Sequence, residues 1–193
     1  YDGVPGWTGS AGQLSPPIAP GGSFEAHLTA PRAGTFMYHT HLDDYRQLSG
    51  GLYGPLIVVE PGVSFDPATD KVFVLGREGP DDTFAPLLVN GSSHPAALTL
   101  ARGVPYRLRF IGITTADDVD LALTRGGVPI SWRPLAKDGA ALPPADQAPV
   151  TAGQRISPGE TYDFEVHFDE PGELRLEASV SGAIHADTDL HVR

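Results

Sequence analysis

The chain has 193 residues, a formal net charge of −11 and no cysteine. Its 24 acidic residues are spread along the chain against 13 basic ones, which argues against nucleic acid or an anionic membrane surface as partner. The missing thiols exclude disulfides, thiolate zinc sites, cysteine nucleophiles, iron–sulfur clusters and any copper site built on a thiolate.

In chain order, glycines and prolines punctuate short apolar or alternating runs. These are Ser23–Thr29, Thr35–His41, Pro55–Glu60, Lys71–Leu75 and Pro86–Asn90, then Tyr106–Ile113, Val119–Thr124, Thr161–Phe168 and Glu173–Ser179. In Thr161–Phe168 apolar and polar residues alternate, the period of a strand with one buried face. Helical spacing is hard to find. Regular short strands between turn signals predict an all-β sandwich or barrel. Trp132 reads as core and Asp138-Gly139 as a turn. No apolar run approaches the roughly 18 residues of a membrane-spanning helix, and no basic segment leads into an apolar leader. The opening Tyr1-Asp2-Gly3, without methionine, is expected of a mature, cleaved or truncated product.

A Pro/Gly/Asp cluster at Glu60–Pro67 predicts a boundary, with residues 1–61 a partial domain and 62–193 a second one. About three strands precede it, too few to close a sandwich. Both parts share a cadence: Pro20–Ala26 and Pro158–Phe164 each read as a turn then a strand, followed by second turns at Pro31–Gly34 and Pro171-Gly172.

The chemistry sits in Tyr38-His39-Thr40-His41. On a strand, His39 and His41 share a face, their bases roughly 6–7 Å apart. Neutral imidazoles suit copper, zinc, iron or nickel. A lone pair of this kind also fits a buried histidine held by a backbone hydrogen bond, or a solvated strand end. His27, His94, His167, His185 and His191 read as surface or turn residues, and Asp43-Asp44 as a solvated strand end.

The segment Gly34–His41, then Gln47 and Gly51-Leu52-Tyr53-Gly54-Pro55-Leu56-Ile57-Val58, closely resembles the laccase-like multicopper oxidases. Tyr1–Gly6 and Pro17–Phe24 are similar to the same family's first cupredoxin domain. Asn90-Gly91, Gly103–Arg109, Asp138-Gly139 and Pro158–Asp163 look like its non-copper domain. The resemblance implies cupredoxin-like Greek-key β-sandwich domains. It implies His39 and His41 as ligands to the type 3 coppers of the cluster that reduces O2 to water, and Asp2 as a catalytic proton donor near it, against an Asp-Gly turn as the plain alternative.

The chain carries one of the family's several histidine motifs and lacks the cysteine of the type 1 site. It is therefore expected to be a fragment, inactive alone, that needs the missing copper-domain segments of its parent or of another chain. A non-catalytic copper-binding cupredoxin module is the alternative. The resemblance further implies a periplasmic or secreted location, and a homo-oligomer stays open.

Overall fold

The computed structural model describes residues 18–40, 43–79 and 86–193. Asp2 and His41 lie outside the described residues.

The described strands, numbered in chain order, form three sheets. The smallest is an antiparallel pair, β1 (Gly34–His39) with β2 (Tyr53–Val58), and the helix α1 (Asp44–Ser49) lies between them in sequence. A seven-stranded sheet contains β3 (Asp70–Arg77), β4 (Leu87–Val89), β6 (Pro105–Gly112) and β9 (Ser131–Lys137). It is completed by β10 (Ala140–Ala141), β11 (Val150–Thr151) and β13 (Thr161–His167). A six-stranded sheet contains β5 (Leu98–Leu100), β7 (Val119–Arg125), β8 (Val128–Pro129), β12 (Gly153–Ile156), β14 (Gly172–Val180) and β15 (Ala183–Val192). The larger sheets run β10–β9–β13–β6–β3–β4 and β12–β7–β14–β15–β5. Pairing is antiparallel except β3 with β6 and β15 with β5.

Alternation explains why these two sheets face each other. Phe73 and Leu75 of β3, Leu108 and Phe110 of β6, and Phe164 and Val166 of β13 project inward from the seven-stranded sheet. Leu121 and Leu123 of β7, Leu174 and Leu176 of β14, and Leu190 and Val192 of β15 meet them from the other. Trp132 stacks on Phe164 at 4.0 Å between ring centres, at the middle of this core. The expected all-β architecture is what the chain adopts.

The outer face of the seven-stranded sheet is covered in part by the β1–β2 pair. Met37 of β1 and Leu48 of α1 pack on Val74, Ile111 and Ile113, with Tyr53 and Val72 beside them. At the start of β1, Gly34 lies against the Asp138-Gly139 turn so closely that a Cβ would fall 2.4 Å from the Gly139 carbonyl oxygen.

Three expectations need correction. Ser23–Thr29 is not a strand: these residues are exposed and without regular structure, because no described strand offers them a ladder partner. One short helix, α1, occurs where none was read. β15, ten residues long, was not expected, although its buried face alternates as Ala186, Thr188, Leu190, Val192. The shared cadence holds at its second turn, where Gly34 and Gly172 both open a strand with φ 159°.

Candidate metal centre

Strand β1 ends at His39, and its ladder continues one step further, where the Thr40 N–H donates to the Leu52 carbonyl at 3.2 Å. Between these residues the chain makes a tight excursion. Asp43, exposed and at φ 51°, precedes α1; Gly50 and Gly51 end it; and Leu52 N–H returns to the Gln47 carbonyl at 2.9 Å. The Thr40 hydroxyl donates to the Gln47 side-chain carbonyl. Thr40, Gln47 and Leu52 are thus tied to one another by backbone and side-chain bonds.

His39 is half-buried, and its Nδ1 lies 2.7 Å from the Thr40 carbonyl oxygen. A carbonyl can only accept, so Nδ1 carries the proton and the neutral ring bears its lone pair on Nε2. That tautomer is the one a ligand histidine takes when its second nitrogen is held by the backbone. The donor chemistry at this position therefore fits copper. Among the described residues no group of three or more His, Asp or Glu side chains is arranged to hold a metal ion.

Thr35, Met37 and His39 share the inward face of β1. His39 borders a cleft of about 210 Å³ whose walls include Arg32, Thr35, Met37, Asp138 and Thr161. Across the ladder His39 faces Tyr53, whose ring reaches β3: a Cβ on Gly76 would lie 2.4 Å from its hydroxyl. Burial pushes the Tyr53 phenol above its ordinary pKa, and the nearby Glu78 carboxylate adds to the shift.

Below Thr35 lies a buried charged network that the sequence reading missed. The Thr35 hydroxyl donates to Asp163 at 2.7 Å and accepts from Arg109 at 2.9 Å. Arg109 also donates to Asp163 at 3.2 Å and to Asp70 at 2.7 Å, while Arg107 donates to the second Asp163 oxygen at 3.0 Å. Thr35 and Asp163 are each 1% exposed and Arg109 4%. Two arginines and two aspartates balance, as burial of charge requires. In addition, the Thr161 hydroxyl donates to the Thr35 carbonyl at 3.0 Å, and Arg32 donates to the carbonyls of Asp138 and Gly139. The only signal in the sequence was Arg107, Arg109 and Asp163 at alternate strand positions, where a polar face ordinarily means solvent.

The other histidines take the surface roles expected of them. His27 meets Glu25, His94 meets Asp187, His167 meets Asp169 and His191 meets Glu173. His185 is exposed. No described helix is long and apolar enough to cross a membrane.

Residues 1–62 match a protein family described as Multicopper oxidase. The chain is 28% identical over 153 residues to Laccase-2 of Botryotinia fuckeliana, covering 64% of this chain and 25% of that protein. It is 26% identical over 186 residues to Laccase-1 of the same organism, covering 86% of this chain and 30% of that protein. The chain therefore spans between a quarter and a third of the length of these relatives. A crystal structure of a multicopper oxidase superposes with a TM-score of 0.75 at 20% identity, over 91% of this chain and 62% of that one. That likeness extends the cupredoxin-type sandwich fold across the chain.

Proposed function

We propose that the chain is part of a laccase-like multicopper oxidase, as the family match and the two laccase relatives support, and that His39 and His41 supply ligands to a type 3 copper pair in an enzyme that reduces O2 to water. The observation that carries this reading is the His39 ring: its Nδ1 proton is directed at the Thr40 carbonyl, the tautomer whose lone pair on Nε2 suits a metal. The family match over residues 1–62 includes that position. Copper, when bound, supplies the one-electron chemistry by which oxygen is reduced.

The chain's own residues do the holding. Thr40 orients the imidazole of His39 and is itself tied to the Gln47 side chain. His41, two residues further on, takes the second ligand role by its place in the motif. Asp2 is assigned a proton-donating role on the same basis. Residues 1–61 are read as part of a copper-bearing domain. Residues 62–193 are read as a sandwich that supports it.

The remaining ligands, the type 1 site and the electron-donating substrate belong to other segments of the parent or to another chain. A periplasmic or secreted location follows from the same family reading. The test is copper counted per polypeptide in the purified chain and in a His39→Ala/His41→Ala double variant. Copper in the first and none in the second is the expected result; equal copper in both overturns it. Copper held without oxygen consumption, even when the missing segments are supplied, would favour a binding module over an oxidase.

A further inference from the structure

We propose that Asp163 and Arg109 are positioning residues for His39 and act on it through Thr35. The proposal rests on the reading of His39 as a copper ligand and adds how the ligand is placed. Thr35 and His39 lie on the same face of one strand, about 14 Å apart at roughly 3.4 Å per residue. Whatever sets the register of Thr35 on the sheet below also sets the height and facing of His39.

The Thr35 hydroxyl is used in both directions, donating to Asp163 and accepting from Arg109. Only one placement of β1 satisfies both. A slip of one residue would bring Gly34 or Phe36 over the carboxylate and turn His39 to the opposite face. A slip of two would bring Ala33 or Met37 there. Either way a buried carboxylate and guanidinium lose a partner in a site with little access to water, which is expensive. By contrast, the apolar contacts of Met37 with Val74, Ile111 and Ile113 are non-directional and tolerate sliding.

Backbone contacts reinforce the same register. Thr161 donates to the Thr35 carbonyl, and Gly34 admits the close approach of Gly139. Directional bonds are therefore concentrated near the start of β1, and His39 stands at its end beside the cleft.

The test uses the whole chain as Thr35→Val, which keeps the shape and deletes the hydroxyl, and Thr35→Ser, which restores it. Two quantities are read: the ring 15N chemical shifts of His39 in the metal-free chain at one fixed pH, and the affinity for Cu(II) by calorimetry. Near-UV circular dichroism of the aromatic core reports whether each variant is folded. The expected result is shifted His39 resonances and about 10- to 100-fold weaker Cu(II) binding in Thr35→Val, with both restored in Thr35→Ser. Unchanged His39 resonances in a folded Thr35→Val chain would overturn the proposal and leave the network a purely structural role. Should Thr35→Val not fold, Arg109→Lys, which keeps the charge and loses the fork, is read by the same criteria. Wild-type chain that binds no Cu(II), while its His39 resonances still respond to Thr35→Val, would support the positioning and show that His39 and His41 do not hold copper without the remaining ligands.

Discussion

Tyr53 stands directly opposite His39 across the β1–β2 ladder. The neighbouring pair, Thr40 with Leu52, is the hydrogen-bonded one, so by alternation the His39 and Tyr53 side chains are the closer set. The phenol of Tyr53 then crosses to β3, where Gly76 leaves room for it. The imidazole is thereby flanked by a ring that is itself anchored to the sandwich.

Gly76→Ala should push the Tyr53 ring away, because the new Cβ would lie 2.4 Å from the hydroxyl and 3.0 Å from its ring carbon. Overpacking of this kind costs about 1–3 kcal/mol. Urea unfolding of the variant, followed by circular dichroism, checks it; an unchanged midpoint would mean that the ring moves aside freely.

The same phenol predicts an alkaline effect. Burial first, and Glu78 second, hold the Tyr53 pKa above its ordinary value. A raised folded-state pKa favours the neutral ring in the native protein. Its contribution is therefore present below about pH 10 and is lost as pH rises through the folded value. Absorbance titration should show a late-ionising component that is lost in Tyr53→Phe.

Asp163→Ala should cost about 3–5 kcal/mol, since it leaves the buried Arg109 without one of its two carboxylates and Thr35 without its acceptor. Denaturant midpoints of Asp163→Ala and of Asp187→Ala, whose carboxylate sits nearer the surface, make the comparison. Equal losses would contradict the importance given to the buried network.

Gly34→Ala places a methyl group against backbone, 2.4 Å from the Gly139 oxygen and 2.7 Å from its Cα, where no side chain can yield. The expected outcome is a loss of about 1–3 kcal/mol with faster amide exchange along β1. Gly153→Ala meets nothing closer than the Leu121 carbonyl at 3.7 Å and should be nearly neutral.

Acid should destabilise the chain through Asp120 and Glu160. The hydrogen bond from Arg155 holds Asp120 below the ordinary carboxylate range, against a smaller upward push from burial. For Glu160 burial pushes upward most, but the Ser157 N–H, Lys137 and Tyr162 together outweigh it and the net shift is downward. A depressed folded-state pKa gives stability that is present above the unfolded value of about 4 and is lost as pH falls through the folded one. Unfolding midpoints measured from pH 6 to pH 2 should fall less steeply in Asp120→Asn than in the parent chain.

Much of the sandwich could be read in advance. Thr161–Phe168 alternates without a break and became β13; Trp132 was placed in the core and Asp138-Gly139 in a turn, with φ 49° and 69°. Lys71–Leu75 and Tyr106–Ile113 became β3 and β6, but nothing in either run announced that they pair in parallel. α1 was missed because six residues make too short a window for helical spacing to stand out. The histidine pair was found by its spacing, whereas Tyr53 beside it was read only as part of a motif.

What the sequence determined by itself was periodicity: which residues share a face, where turns interrupt strands, which chemistry is excluded by the absence of cysteine, and which two histidines are candidates for a metal. Those properties are local, set by the two-residue repeat of a strand and by the backbone freedom of glycine and proline. Only the tertiary structure decided what covers each face. Arg107, Arg109 and Asp163 sit on the side of their strands that alternation assigns to solvent, yet β1 lies over that side and brings Thr35, from 128 positions away, to Asp163. Alternation encodes two faces but not the identity of the neighbour. That neighbour is chosen when distant parts of the chain bury apolar area together and must at the same time satisfy every charge they enclose.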